Sequence, residues 1–269
     1  MAMPIVFIHQ NYDDYLIYGL HQAKRSNPQS TVVLIGTAEN AVLDSHLVHH
    51  TRIDHFMHDA RQLATTYKHV SENDYQYNLF CFQRWLILRE FMRHNRLDKC
   101  CYLDSDVLLF TDVNDPEFQQ FTFEFTWTSI CDLESLEAFC NLILIGFDDP
   151  DVFNGLVRFT REIDQPALSD MVISRLYTDT RHGLFRDSYF DSNINVQYYD
   201  FEMMGDRRKV YLSGDTLYSR RMDSNTFIKL NTLHFQGNAK TYMRYFHMAP
   251  TVTDGMAFFH YPTRQWIRE

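Results

Sequence analysis

Lys99-Cys100-Cys101-Tyr102-Leu103-Asp104-Ser105-Asp106-Val107-Leu108-Leu109 decides the fold. Its first five residues read as a buried strand that runs straight into two aspartates two residues apart, and a second apolar run follows at once. No Gly or Pro is present to make an ordinary turn. In an open α/β sheet the carboxyl ends of the strands are where ligands bind. Side chains i and i+2 of an extended segment point the same way, so one cation can be reached by both Asp104 and Asp106. Mg2+ or Mn2+ suits such hard oxygen ligands and keeps positions open for water and substrate phosphate. The same pair could also start a turn or cap a helix.

A second element supplies what the aspartates lack. In Leu233-His234-Phe235-Gln236-Gly237-Asn238-Ala239-Lys240 a neutral imidazole can complete a metal sphere. Gly237 lets the backbone approach a phosphate closely, and Lys240 offers it a point charge. One histidine among the chain's 13 would carry no weight alone; the ordered His-x-x-Gly-x-x-Lys does.

An apolar strand, Asp-x-Asp and a distal His-x-x-Gly-x-x-Lys together resemble the GT-A glycosyltransferases. Within them the likeness is to the retaining, glycogenin-like and lipopolysaccharide-galactosyltransferase-like branch (family 8-like), and it spans nearly the whole chain. The resemblance implies an α/β fold, a single GT-A (Rossmann-like) domain over 1–269 with a central, mostly parallel sheet flanked by helices. Residues to about 110 would form the nucleotide-binding half, and about 111–269 the acceptor half. It implies Asp104, Asp106 and His234 as ligands of Mn2+ or Mg2+, with Gly237 and Lys240 on the donor diphosphate and Ser105 among the donor contacts. The family usually continues Lys-Pro-Trp where this chain has Lys240-Thr241-Tyr242, which leaves subfamily and sugar open.

Further residues follow from the same likeness. Arg84 lies on the apolar stripe of a helix, twenty residues before Asp104, and resembles a family cation that touches the donor; a structural ion pair or a snorkelling side chain accounts for it equally well. Ile8, Gln10, Asn11 and Tyr12 follow the first strand, where the family holds base and ribose. Asp170, in Leu168-Ser169-Asp170-Met171, is a candidate for contacting the donor or acceptor sugar, and equally reads as a helix N-cap. Asn141, at the start of an apolar run, resembles the family's sugar-site Asn. The implied activity transfers a hexose from a nucleotide-sugar, UDP-sugar favoured, to a saccharide or glycolipid acceptor, with retention.

Outward from these motifs, Ile5-Val6-Phe7-Ile8, a helix capped by Asp13 or Asp14, and Thr31 to Ile35 closed by Gly36 predict a βαβ unit and hence a parallel sheet. A helix is expected from about Tyr75 to His94, with Phe80, Arg84, Ile87, Leu88 and Phe91 on one face. Further strands are expected at about Phe123 to Ser129 and over Asn141 to Ile145, helices over 152–163 and 169–178, and a strand end at Leu230 to Leu233. A net charge of −10 argues against nucleic acid as partner. Five Cys with no CxxC pair read as reduced, mostly buried thiols. No basic leader and no stretch of ~18 apolar residues is present, so no membrane span and a cytoplasmic location are expected.

Two other readings fit parts of the pattern. Haloacid-dehalogenase-type phosphatases also place Asp-x-Asp after a strand, which would make Asp104 a nucleophile. A non-catalytic nucleotide-sugar-binding protein would keep the scaffold without turnover.

Overall fold

The computed structural model describes residues 2–119, 121, 128–181, 196–197, 209–220 and 227–269. The strand β1 (Ile5–His9), helix α1 (Leu16–Ser26) and strand β2 (Val32–Gly36) form the expected βαβ unit, with β1 and β2 parallel from Ile5↔Val32 to His9↔Gly36. The helix begins at Leu16 with Tyr15 at its N-cap and no side-chain cap; neither Asp13 nor Asp14 caps it. The histidine-rich stretch supplies β3 (His49–Arg52) and α2 (His58–Thr66).

Helix α3 (Tyr75–Asn95) forms where expected and starts on Asp74, whose carboxylate accepts the N–H groups of Gln76 and Tyr77. It is buried on several sides rather than along one face, since Leu79, Phe82, Trp85, Leu86 and Met92 are buried while Phe80 and Arg84 are half-buried. It ends at Arg96, which takes a left-handed conformation. Strand β4 (Lys99–Leu103) pairs parallel with β1, Phe7 opposite Leu103, and β6 (Thr128–Asp132) pairs antiparallel with β4. Most of the strand expected at Phe123 to Ser129 lies outside the described residues; its observed part starts at Thr128.

The resulting sheet runs β3-β2-β1-β4-β6. Because β2 and β3 extend from one side of β1 and β4 lies on the other, the strand order reverses between β1 and β4. In open α/β sheets this reversal, at the carboxyl ends of the strands, is where a ligand crevice forms. Alternation along the strands builds two cores. Val6, Ile8, Val33, Ile35, Cys100 and Tyr102 pack with α3 and its neighbours, whereas Ile5, Phe7, Leu34, Cys101 and Leu103 pack with Leu16, Leu20 and Ala23 of α1.

The apolar run at Asn141 is not a strand. It lies inside α4 (Leu133–Asp148), which Asp132 caps by accepting the Ser135 N–H at 2.7 Å. Leu136, Phe139, Cys140, Ile143 and Phe147 are buried at three- and four-residue spacing while Ile145 is exposed. The next two helices, α5 (Pro150–Glu162) and α6 (Asp170–Arg181), fall where expected.

The C-terminal part adds a second sheet that the sequence did not announce. It contains β8 (Val210–Gly214), β9 (Thr216–Arg220), β10 (Phe227–Lys229), β12 (Val252–His260) and β13 (Gln265–Arg268), in the antiparallel order β10-β9-β8-β12-β13. A small third sheet joins β5 (Val107–Leu109), β11 (Thr232–His234) and β7 (Val196–Gln197). A short helix, α7 (Met243–His247), packs Phe246 against Phe235 and Phe259. All five cysteines are free thiols, Cys81 half-buried and the others buried.

Candidate active site

The aspartates sit in a tight link between β4 and β5, where the Val107 N–H donates to the Asp104 carbonyl at 3.1 Å. Helix α1 crosses this link through Gly19: a Cβ there would lie 3.2 Å from the Val107 carbonyl oxygen and 3.4 Å from that of Ser105. A methyl there would require the helix and the loop that carries the carboxylates to part by a few tenths of an ångström.

The distal motif arrives by strand pairing. β11 runs antiparallel to β5 with His234 opposite Val107, and the Phe235 N–H donates to the Asp106 carbonyl at 2.8 Å. This register sets His234 Nε2 3.2 Å from Asp106 Oδ1. Beyond β11, Gly237 adopts φ +57°, and a Cβ there would meet no atom within 4 Å, so its requirement is one of backbone conformation. The turn it makes leads into a 3-10 segment, Gly237–Tyr242, that returns Lys240 Nζ to 3.3 Å from Asp106 Oδ2. The Lys240 ammonium also lies 4.9 Å from the Tyr15 ring centroid, and the Tyr15 hydroxyl is 3.4 Å from Ser105 Oγ.

Arg84 resolves into a bridge between carboxylates. Its Nη1 donates to Asp104 Oδ1 at 2.6 Å and its Nη2 to Asp170 Oδ2 at 2.8 Å. Tyr102 OH donates to Asp104 Oδ1 at 2.9 Å, and Trp85 Nε1 to Asp170 Oδ2 at 2.9 Å. Three elements thus meet at the end of β4: α3 gives Arg84 and Trp85, β4 gives Tyr102, and the first turn of α6 gives Asp170. Asp170 is the first residue of α6 and is buried; Ser169 before it takes the Val172 N–H on its hydroxyl at 3.4 Å.

The two site aspartates are held in opposite directions. Burial pushes the Asp104 carboxyl up, Arg84 pulls it down and Asp106 adds to the rise, so it stands above the ordinary value. Burial acts on Asp106 in the same sense, but the His234 hydrogen bond and Lys240 outweigh it and hold its carboxyl below that value. Burial works against the charge on Lys240, and Asp106 and Tyr15 more than offset it, leaving the amine above its usual range.

The remaining sequence candidates divide. Ile8 is buried in the core, so only its backbone faces the crevice. Gln10, Asn11 and Tyr12 are exposed at the end of β1. Asn11 takes φ +63°, and its carbonyl accepts from Asn40, which closes the turn after β2. Asn141 accepts from Arg89 at 3.0 Å, and Arg89 pairs with Asp59 at 2.6 Å. That network lies apart from the contacts around Asp104.

Sequence reasoning missed His9, Tyr15 and Trp85. His9 Nε2 lies 3.0 Å from Asp13 Oδ2, and burial lowers its pKa despite that partner. An i,i+4 His-Asp pair is the sequence signal that existed for it. Tyr15 and Trp85 gave none, because each acts through a contact to a distant segment.

Asp104, Asp106 and His234 each offer a ligand atom, all within 4.8 Å of one another. Two carboxylates and an imidazole on neighbouring rigid segments fit Mn2+ or Mg2+. His58, Asp59 and Glu90 meet the same distance condition, but Glu90 accepts the backbone N–H groups of His58 and Asp59 and so caps α2.

No family model matches the sequence, and no curated protein matches it. Solved structures do. Mouse xyloside xylosyltransferase 1 in its apo form superposes with a TM-score of 0.58 at 10% identity, over 89% of this chain and 99% of that one. The galactosyltransferase LgtC with donor and acceptor sugar analogues gives 0.45 at 13% identity over 94% and 98%. The bifunctional glycosyltransferase WbbM in its apo form gives 0.49 at 12% over 93% of this chain, which spans 50% of that one. The fold is that of the GT-A glycosyltransferases: a mixed α/β structure whose mostly parallel sheet is flanked by helices. No helix among the described residues is long and apolar enough to cross a membrane.

Proposed function

We propose that the protein is a metal-dependent hexosyltransferase that takes a sugar from a nucleotide-sugar donor, UDP-sugar favoured, to a saccharide or glycolipid acceptor, with retention. The observation that carries this reading is the meeting of Asp104, Asp106 and His234 within 4.8 Å at the carboxyl end of β4, on a GT-A fold. The phosphatase and binding-only readings gain no supporting contact.

In this reading the three ligands hold Mn2+ or Mg2+, which when bound supplies Lewis-acid stabilisation of a leaving diphosphate. The left-handed turn at Gly237 presents backbone to the phosphates, and Lys240 adds a positive charge where negative charge develops. Ser105, Gln10, Asn11, Tyr12 and the Ile8 backbone line the nucleotide side of the crevice. Asp170 and Arg84 face the sugar side, with Arg84 bridging and orienting both carboxylates. Residues to about 110 then form the nucleotide half and about 111–269 the acceptor half of one domain. A cytoplasmic role in surface polysaccharide or lipid-linked saccharide assembly fits these parts.

The test is isothermal titration with UDP, GDP and their sugars, with and without Mn2+, on the natural chain and on Asp106→Ala and His234→Ala. Micromolar binding that requires the metal and is lost in both variants supports the reading. Absence of metal-linked binding to every nucleotide refutes it.

A further inference from the structure

Both carboxylate oxygens of Asp106 are engaged: Oδ1 by His234 Nε2 at 3.2 Å, Oδ2 by Lys240 Nζ at 3.3 Å. The Asp106 side chain is only 13% exposed and that of Lys240 34%, so the pair is poorly screened by water. Among the described residues the ammonium also meets Tyr15, whose ring it overlies and whose hydroxyl reaches both it and Ser105 between the two aspartates. Lys240 therefore holds one oxygen of a carboxylate that is also a candidate metal ligand. An ion held by Asp104, Asp106 and His234 puts like charges a few ångströms apart in a half-buried site, where repulsion is strong. A diphosphate reverses that sign, since its oxygens accept from the ammonium while they share the ion.

We propose that Lys240 competes with the metal for Asp106 until a diphosphate arrives, so that ion and nucleoside diphosphate bind as a pair, and that Tyr15 is the positioning residue that keeps the ammonium between its two anionic partners. The inference rests on the metal-and-diphosphate reading of the site given above.

The experiment is calorimetric titration of Mn2+ alone, then of Mn2+ with saturating UDP or GDP, into the natural chain and into Lys240→Met, Tyr15→Phe and Tyr15→Leu. Thermal melts check that each variant is folded. Lys240→Met is expected to bind Mn2+ alone at least tenfold more tightly and to show a smaller enhancement of Mn2+ affinity by nucleotide, since no ammonium then has to leave Asp106 before the ion binds. Tyr15→Phe keeps the ring but loses the hydroxyl that also partners the ammonium, so it should lose less of the enhancement than Tyr15→Leu. Unchanged or weaker Mn2+ binding by Lys240→Met overturns the competition and leaves the site intact. Natural coupling in Tyr15→Leu overturns the role given to Tyr15. No Mn2+ binding by any of the four proteins, with or without nucleotide, overturns the metal site and the proposed function with it.

Discussion

Replacing Arg84 with Met leaves Asp104 and Asp170 without their shared cation. The side chains of Asp104 and Asp170 are 15% and 4% exposed, so water cannot take over the guanidinium's role. Breaking a buried ion pair by removing one partner costs about 3–5 kcal/mol. Tyr102 OH and Trp85 Nε1 remain as donors, one to each carboxylate, which places the expected loss near the lower end, about 3 kcal/mol. For a chain of this size that corresponds to a melting temperature lower by roughly 6–12 °C.

The loss has a pH signature. Asp104 is already held above its ordinary value by burial and Asp106, and Arg84 is the strongest of the groups that oppose the rise, ahead of His234 and Tyr102. Without Arg84 the folded carboxyl moves further up. A carboxyl raised above its unfolded value of about 3.9 costs stability as pH rises, because the unfolded chain ionises more readily. The gap between natural and variant proteins should therefore be wider at pH 8 than at pH 5. Urea unfolding at both pH values, read as the midpoint at constant slope, measures it. A loss below about 1 kcal/mol, or a gap independent of pH, refutes the view of Arg84 as the charge that holds two buried carboxylates.

Asp106→Ala and His234→Ala should each weaken metal-dependent nucleotide binding more than 100-fold, about 2.7 kcal/mol, by titration calorimetry. Gly237→Ala meets no atom within 4 Å but must hold φ +57°, so a stability loss of about 1–2 kcal/mol in denaturant, with weakened nucleotide binding, is expected. The Cys81 thiol is pushed up to about 12, chiefly by burial and next by Asp170. A thiol reagent at pH 8 should therefore react slowly with the native protein, whereas denaturation should release all five free thiols.

Local sequence settled the elements whose pattern is self-contained. The βαβ opening and the extent of α3 follow from apolar runs and the breaks between them, whereas the Asp74 cap and the burial of α3 on several sides show only in the structure. Asp104 and Asp106 at a strand end follow from the strength of the flanking apolar runs. Where a run was short the pattern was ambiguous. Leu142 to Ile145 could alternate across a sheet or wind round a helix, and Asp132 at the N-cap together with the burial of Phe139, Ile143 and Phe147 chose the helix. The antiparallel second sheet was hidden for a similar reason, since its strands are short and draw stability from one another.

The site's chemistry was legible as residue types, and its wiring was not. Asp106 and His234 become partners because β11 takes one register against β5, and a slip of one residue would turn His234 to the opposite face. Arg84 reads as an inward cation from its helix alone, but that it joins Asp104 to Asp170 depends on how α6 docks against α3. Tyr15 carries no signal at all until Lys240 is brought over its ring. Periodicity and capping act within a few residues and can be read along the chain, whereas the contacts that join these charges reach from one end of the chain to the other, as between Tyr15 and Lys240, and only tertiary packing decides them.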